Sequence, residues 1–146
     1  FRSEHISFYT RLLEGNYPDT DRLIPTEFNT EATFNVANLR FAMERARLLS
    51  NATQNGTVKL EFKNGVVSSH VHSPEVGRVN EEIDTSAVSG EDLSISFNPT
   101  YLIEALKAID SEQVVIRFIS SVRPFTLVPE GNEQGFIQLI TPVRTN

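Results

Sequence analysis

Residues 34–46 read FNVANLRFAMERA and residues 97–109 read FNPTYLIEALKAI, and the likeness between these two stretches decides the predicted fold. Both begin with Phe-Asn, place a Leu four residues after the Asn, and place an Ala three residues after that Leu. The matched residues are Phe34, Asn35, Leu39 and Ala42 in the first copy and Phe97, Asn98, Leu102 and Ala105 in the second, an offset of 63 residues. An Asn before a helical pattern is a typical N-cap, and Pro99 suits the first helical position because its missing N–H costs nothing there. Each stretch is predicted to be the end of a strand followed by a helix.

Three strand-like runs follow each predicted helix. They are TVKLEF, VVSSHVHS and VGRVNEEID after the first helix, and QVVIRF, VRPFTLV and GFIQLITPV after the second. Asn64-Gly65 is a strong hairpin-turn signal between the first two runs. Residues 26–146 are therefore predicted to be a strand–helix–three-strand unit used twice, whose halves close one core. The expected class is α+β, with an antiparallel sheet layer on one side and two helices packed on the other.

The first 25 residues stand apart from this repeat. In HISFYTRLLEG, the side chains of Ile6, Phe8, Thr10 and Leu12 alternate as on one face of a strand. The following NYPDTDRLIPTEF carries two prolines and several Asp and Thr residues, which is typical of a linker. We predict that residues 1–25 are the last strand and the exit linker of a preceding domain.

The composition is that of an ordinary globular domain, because 39% of the 146 residues are hydrophobic and 22% are charged. The chain has no cysteine, which excludes disulfides and thiolate metal sites. Its net charge of −6 argues against tight nonspecific binding of nucleic acid through bulk charge. No apolar stretch approaches the length needed to cross a bilayer, so no membrane partner is predicted.

Each predicted helix has an apolar stripe that should face the sheet. The stripes are Val36, Leu39, Met43 and Ala46 on the first helix, and Leu102, Ala105, Leu106 and Ile109 on the second. Phe41 and Leu48 fall roughly opposite the first stripe. The basic residues Arg40, Arg45, Arg47 and Lys107 lie away from the stripes, and from the residues alone a solvated face is favoured for them.

Four motifs in order along the chain resemble one family. The segments YPDTDRLIP, SFNPTYLIEAL, SSVRPF and QLITPVRT, together with the repeat, look like the C-terminal part of the bacterial DNA polymerase III β subunit family, the replication sliding clamps. The RPF…QLI.PVR pattern is similar to versions from Gram-positive bacteria. The resemblance covers the whole chain. It implies the DNA-clamp fold, with residues 26–146 as the third clamp domain and residues 1–25 as the end of the second.

The resemblance also implies a ring in the bacterial cytoplasm that serves as a non-catalytic processivity factor of DNA replication. In the family two protomers join head to tail, and their helices line a hole around duplex DNA. Such a ring holds DNA by topology and without sequence preference, so an acidic outer surface is no obstacle. Arg40, Arg45, Arg47 and Lys107 then become candidates for DNA-facing residues.

The family binds polymerase, clamp loader and repair proteins through short peptides rich in Gln, Leu and Phe, which occupy an apolar groove. Matching by motif places thirteen residues of this chain in the groove: Pro18, Arg22, Leu23, Asn98, Tyr101, Val122, Pro124, Leu139, Ile140, Thr141, Pro142, Val143 and Arg144. For Leu139 and Val122, packing within the domain's own core is at least as good an interpretation. Gln54 occupies a position that is aromatic in some relatives, and Pro124 replaces a small polar residue.

The acidic run VNEEIDTSAVSGED has two interpretations. From the residues alone, Glu81, Glu82 and Asp84 keep an edge strand from pairing with another chain. The family resemblance instead makes Glu81 and Glu82 the acidic half of the dimer contact, with Leu48 and Leu49 as its apolar centre. Because the complementary surface lies on the family's first domain, we expect this chain to be monomeric and the full-length protein to be a homodimer.

Catalysis has little support in the sequence. His70 and His72 alternate on one predicted strand face, and with Glu75 or Glu82 they could bind a metal. This spacing without a third fixed ligand is a weak signal, and neither a nucleophile elbow nor a phosphate-binding loop occurs. We expect no catalytic residue, no cofactor and no bound metal. Two other classes stay open: a secreted or surface binding module, and a metal-dependent hydrolase that uses the histidine pair.

Overall fold

The two Phe-Asn stretches each end a strand and begin a helix, as the repeat predicts. The computed structural model describes residues 2–50, 56–75, 77–132 and 135–144. The strands are β1 (Thr30–Asn35), β2 (Val58–Lys63), β3 (Val66–Ser73), β4 (Gly77–Ile83), β5 (Ala87–Gly90), β6 (Leu93–Phe97), β7 (Gln113–Phe118), β8 (Phe125–Pro129) and β9 (Gln138–Ile140). The helices are α1 (Val36–Ser50) and α2 (Pro99–Lys107), and a 3-10 turn spans Thr20–Leu23.

The nine strands of the described residues form two antiparallel sheets, in agreement with the predicted helices packed on antiparallel strands. One sheet has the order β5-β1-β7-β8-β9 and the other has the order β4-β3-β2-β6. The strand that begins each half therefore joins the sheet of the other half: Ala32 of β1 pairs with Ile116 of β7, and Ile95 of β6 pairs with Leu60 of β2. This exchange ties the two halves into one domain.

The core lies between the sheets and the two helices, which also contact each other. Phe34 and Phe97, the first residues of the two repeats, have no exposed surface. The ring centroids of Phe97 and Phe125 are 5.1 Å apart, and Phe118 lies 5.1 Å from Phe125. Offset and tilted aromatic pairs at this separation add to the free energy of burial. Both predicted helix stripes are buried, including Ile109, which follows the end of α2.

Local sequence signals account for the helix starts and the first hairpin. The Asn98 side chain accepts a hydrogen bond from the Thr100 N–H at 2.9 Å, and the Asn35 side chain accepts one from the Asn38 N–H at 3.1 Å. At the β2–β3 turn, Asn64 has a φ of 53° and Gly65 a φ of 75°, as a type I′ turn requires. The predicted hairpin is confirmed, with Lys63 opposite Val66.

No strand forms in residues 2–23 of this chain, and their assignment to a preceding domain stays a prediction. Residues 2–23 are exposed throughout, and their one sheet-like feature is an isolated bridge between Arg2 and Ser7. A strand needs neighbouring strands for its backbone N–H and C=O groups, and neither sheet of the described residues includes this segment.

Neither helix of the described residues is long and apolar enough to cross a membrane.

Candidate functional site

The carboxyl-terminal tail passes from one sheet to the other. Ile140 of β9 pairs with Phe125 of β8, which ties the tail to the five-stranded sheet. Three residues later, the Val143 N–H donates a hydrogen bond to the Ser96 carbonyl of β6 at 2.7 Å, in the four-stranded sheet. Pro142 has no N–H to donate and lies between these attachments. Val143 keeps 40% of its surface exposed, and Arg144 is also exposed.

A cavity of about 470 Å³ lies where α2 meets β9. Its lining residues are Tyr101, Glu104, Ala105, Ala108, Gln138, Leu139, Ile140 and Thr141. Four of the predicted groove residues border it: Tyr101, Leu139, Ile140 and Thr141. The two alanines leave room in the cavity, and the Tyr101 ring, which is 63% exposed, stands at its edge. Ile140 is a core residue with 3% of its surface exposed, so little of its side chain reaches the cavity.

The other predicted groove residues lie outside this cavity. Leu23 and Val122 are exposed apolar side chains, as the tail residue Val143 is, while Leu139 is half-buried. Large exposed apolar side chains that lie close together mark binding surfaces in soluble proteins. Pro124 and Pro142 are half-buried, and Pro18 is exposed.

Two predicted groove residues have structural contacts of their own. Arg22 forms an exposed ion pair with Asp19, with Nε 3.1 Å from the carboxylate. The side-chain oxygen of Asn98 caps α2. Gln54 lies outside the described residues.

Most of the predicted DNA-facing cations lie beside carboxylates. Arg40 is 3.7 Å from Glu44, and Lys107 is 3.0 Å from Glu104. Arg45 reaches across to β4 and hydrogen-bonds to Glu81. Arg47 forms no ion pair within the described residues. Three of the four predicted cations are therefore each offset by a neighbouring carboxylate.

A second cavity, of about 260 Å³, lies where α1 meets β4. It is lined by Asn38, Phe41, Ala42, Arg45, Glu81, Glu82, Ile83 and Asp84. The predicted interface residues Glu81 and Glu82 border it, whereas Leu48 and Leu49 do not. Leu48 is exposed at the end of α1, and Leu49 packs partly against the core.

The histidine pair does not form a metal centre with its neighbours. The Nδ1 atom of His70 lies 2.7 Å from the Asn80 side-chain oxygen, and its Nε2 atom lies 3.0 Å from the Ser68 hydroxyl and 3.4 Å from Glu61. His72 is exposed on the same strand face. No group of three or more His, Cys, Asp or Glu side chains converges in the parts of the chain that the structure describes. The hydrolase alternative gains no support.

The prediction missed several cavity residues. Glu104, Ala108 and Gln138 line the α2/β9 cavity, and Phe41 and Asn38 line the α1/β4 cavity. The helical spacing of 101, 104, 105 and 108 was visible in the sequence. It could have shown that Tyr101 belongs to a longer stripe on the side of α2.

A duplicated unit of this kind, with two helices packed on antiparallel sheets, is the DNA-clamp fold. The family described as "DNA polymerase III beta subunit, C-terminal domain" matches residues 21–144, and the chain belongs to this family. The predicted fold class and family are thereby confirmed.

Relatives with this fold come from several bacteria. The beta sliding clamp of Streptococcus pneumoniae serotype 4 is 79% identical over 146 residues, and that of Staphylococcus aureus strain Mu50 is 41% identical over 145 residues. The match covers 100% and 99% of this chain but only 39% and 38% of those relatives, so the chain spans about two-fifths of their length.

Solved structures agree with this assignment. The DNA polymerase III beta chain from Streptococcus pneumoniae matches with a TM-score of 0.89 at 78% identity, over 99% of this chain and 38% of that one. The DNA polymerase sliding clamp from Bacillus subtilis matches with a TM-score of 0.83 at 40% identity, over 94% of this chain and 36% of that one.

Proposed function

We propose that the chain is part of a processivity factor of bacterial DNA replication, a homodimeric ring that encircles duplex DNA and slides along it. The ring acts in the cytoplasm, has no catalytic activity, and tethers polymerase, clamp loader and repair proteins through a peptide-binding groove. The names of the relatives support this function. The observation that supports the proposal is the open α2/β9 cavity, which four residues of the predicted groove line, together with the exposure of Val143 in the tail that follows β9.

We assign residues 1–25 to the end of a preceding domain and residues 26–146 to the carboxyl-terminal domain of a protomer. Residues 2–23 are exposed and carry many large apolar side chains, among them Phe8, Leu12 and Leu13. Apolar side chains in such number are usually covered in a functional assembly. The family match begins at residue 21, close to the proposed boundary.

The charge distribution on the helices suits a ring that slides. Arg40, Arg45 and Lys107 each lie beside a carboxylate, so few phosphates would be neutralised and few counterions released when DNA passes the helices. Weak, sequence-independent attraction is sufficient when topology holds the ring on the duplex. The proposed protomer contact, on Leu48, Leu49, Glu81 and Glu82, adjoins this set at Arg45, which hydrogen-bonds to Glu81.

The proposed groove offers apolar contacts to partner peptides. Leu23, Val122 and Val143 are accessible to Leu and Phe side chains of a peptide. Burying one such side chain contributes about 1.5–3 kcal/mol, so two anchors contribute about 3–6 kcal/mol before the cost of ordering the peptide is subtracted. Pro142 fixes the direction of the tail that carries Val143 and Arg144.

The test is a titration of the isotope-labelled chain with a synthetic peptide of the Gln-Leu-x-Leu-Phe type, followed by NMR. We expect shifts at Tyr101, at Val122 and in residues 139–144. Val143→Ala should weaken binding about fivefold, because it removes about 1 kcal/mol of apolar burial. Val66→Ala is the matched control, since Val66 is 46% exposed on the β2–β3 hairpin and should leave affinity unchanged.

Two results would contradict the groove. One is the absence of shifts at those positions with millimolar peptide. The other is equal weakening by Val143→Ala and Val66→Ala, which would indicate nonspecific apolar association.

A further inference from the structure

Two of the proposed groove residues lie on segments that are far apart in the sequence. Leu23 begins the pre-β1 segment (residues 23–29), and Val122 lies in the β7–β8 loop (residues 119–124). Both side chains are apolar and more than half exposed. One peptide can contact both of them only if the two segments keep a fixed relation to each other. The contacts that join the segments therefore matter for binding.

Asn29 joins the two segments through its backbone and through its side chain. At the end of the β1–β7 pairing, its backbone N–H donates a hydrogen bond to the Phe118 carbonyl at 2.9 Å. Its side-chain Nδ2 donates a second bond, also of 2.9 Å, to the Ile119 carbonyl, which lies beyond the end of β7. Only the amide nitrogen of an Asn side chain can donate, so a carboxylate of the same shape could not form this second bond.

The bond to Ile119 acts close to Val122. Ile119 and Ser120 are half-buried, and the next three residues of the loop are exposed. The Val122 N–H donates a long hydrogen bond to the Ser120 hydroxyl, with the two atoms 3.4 Å apart. Holding the Ile119 carbonyl therefore holds the start of the short turn that carries Val122.

The pre-β1 segment lies against the domain between Leu23 and Asn29. Residues 2–23 are exposed, whereas three of the next five residues are half-buried, namely Ile24, Pro25 and Phe28. The ring of Pro25 also fixes its φ, which limits the directions that the chain can take as it leaves the domain. Leu23 thus lies six residues from Asn29, on a segment that is attached at its domain end.

A second contact attaches the pre-β1 segment to β7. The Cζ atom of Arg117 lies 5.3 Å from the centroid of the Phe28 ring, within the range of a cation–π interaction. The Nε atom of Arg117 donates a hydrogen bond of 2.6 Å to Glu31, which lies directly opposite on β1. This contact does not involve the β7–β8 loop. It should keep the pre-β1 segment in place when the side chain of Asn29 is changed.

We propose, on the basis of the proposed function, that Asn29 is a positioning residue of the peptide-binding groove. Its side chain holds the β7–β8 loop, and with it Val122, at a fixed place relative to Leu23. It acts without touching the peptide. A preorganised site costs less ordering when a ligand binds, so a peptide that reaches both apolar side chains gains affinity from this tie. A peptide that reaches only one of the segments gains none.

The hydrogen bond from Asn29 to Ile119 should matter more for binding than for folding. The Asn29 side chain is exposed, so water can replace a partner that is lost. A side-chain variant also keeps the backbone bond to Phe118 and the contact between Phe28 and Arg117. Changing this side chain should therefore leave the fold intact and release the β7–β8 loop.

The experiment measures the affinity of the isotope-labelled chain for two synthetic peptides by NMR titration. One peptide is of the Gln-Leu-x-Leu-Phe type, and the other has Ala in place of its last two residues, so that one apolar anchor remains. Asn29→Asp keeps the shape of the side chain but loses the donor. It should weaken the two-anchor peptide by roughly two- to tenfold, the range for one lost hydrogen bond, and leave the one-anchor peptide at wild-type affinity.

Two further variants separate the donor from the added charge. Asn29→Ala loses the donor without adding a charge and should resemble Asn29→Asp. Asn29→Gln keeps an amide donor on a longer side chain and should lose less affinity, again only for the two-anchor peptide. Without any peptide, the aspartate and alanine variants should shift the backbone amide signals of Ile119 and Val122.

Asn80→Asp is the matched control, because it adds the same charge on β4, at the opposite edge of the four-stranded sheet from β6. It should leave the affinity for both peptides unchanged. Thermal unfolding of each variant verifies that the fold is intact. Should the aspartate and alanine variants not fold, the comparison of the two peptides is made with Asn29→Gln.

Two results separate this inference from the proposed function. If the wild-type chain binds neither peptide, the groove itself is overturned. If the wild-type chain binds and the folded Asn29 variants keep its affinity for the two-anchor peptide, only the assignment of Asn29 fails. Equal weakening of both peptides would also overturn that assignment, because a positioning residue should act only on the peptide that needs both segments.

Discussion

Asn98 has two assignments at once, one structural and one functional. The structure uses its side-chain oxygen to cap α2, with extended backbone angles of −79° and 117°. The proposed groove includes the same residue. The cap places α2, and with it Tyr101, at the edge of the cavity. Asn98 therefore shapes the site even where it does not contact a peptide.

Removing this cap should destabilise the domain. Asn98→Ala is expected to lower the free energy of unfolding by about 1 kcal/mol, because the Thr100 N–H loses its acceptor. Urea denaturation measures the change. Asn98→Ser keeps an acceptor at the cap and should lose much less. Equal free energies of unfolding for the alanine variant and the wild-type chain would show that the cap does not stabilise the domain.

Features of single residues could be predicted from the sequence where they depend only on neighbouring residues. The caps at Asn35 and Asn98, the proline at the start of α2 and the Asn64-Gly65 turn all depend on neighbours within four residues, and the structure confirms each of them. The contact between Arg45 and Glu81 spans 36 residues and depends on how α1 lies over β4. In the sequence, Arg45 is indistinguishable from a solvated arginine.

Among the elements, β5 was not predicted from the sequence. Its four residues, Ala87–Gly90, lack an apolar alternation, and it forms because it can pair with β1. Gly90 lies opposite Thr30 with a φ of +103°, and a Cβ there would sit 2.0 Å from the Asn29 carbonyl oxygen. This pairing permits no side chain at position 90.

Gly90→Ala is expected to lower the free energy of unfolding by more than about 2 kcal/mol, because strain in φ and a backbone clash act together. Gly77→Ala is the matched control, since Gly77 also has a positive φ, +89°, but nothing lies within 4 Å of the added carbon. It should lose about 1 kcal/mol through backbone strain alone. Calorimetric unfolding of both variants measures the two losses of stability. Similar losses would show that the backbone at Asn29 can move away from a Cβ at position 90.

Two strands, β8 and β9, are shorter than the predicted runs, and a proline lies near one end of each. The run VRPFTLV forms a strand only after Pro124, and GFIQLITPV forms one only over Gln138–Ile140, before Pro142. Proline cannot donate to a sheet ladder, which confines it to edges and ends. Ile103 is fully buried although it lies outside the predicted stripe of α2, because the packing around a helix cannot be deduced from its periodicity.

For the whole molecule, the exposed amino-terminal segment should contribute nothing to folding of the separate chain. Deleting residues 1–18 is expected to leave the free energy of unfolding unchanged, because residues 2–18 bury no surface that the core needs. Both the intact and the shortened chain should sediment as monomers, since the surface complementary to β4 is proposed to lie on another domain. A lower melting temperature after deletion, or a stable dimer of either chain, would contradict this expectation.

The duplication itself could be predicted from the sequence, but the pairing of its halves could not. The constant offset of 63 residues between matched residues, such as Phe34 and Phe97, reveals a repeat. Helical or alternating patterns reveal the elements of that repeat. Periodicity does not say which strand a given strand will join, so the exchange of β1 and β6 between the sheets appears only in three dimensions. The candidate site shows the same limit: the motif match predicted Tyr101 and the tail residues, whereas Glu104 and Ala108 of the cavity became visible only in the fold.

The exchange of β1 and β6 also bears on how the chain is made. A ribosome releases β1 long before β7, whose residues 113–118 lie some 80 positions later, so until β7 emerges β1 can pair on one side only, with β5. The earliest assembled unit should be the four-stranded sheet, which closes as soon as β6 emerges. Until β7 follows, nascent chains leave one side of β1 unpaired for chaperones to protect.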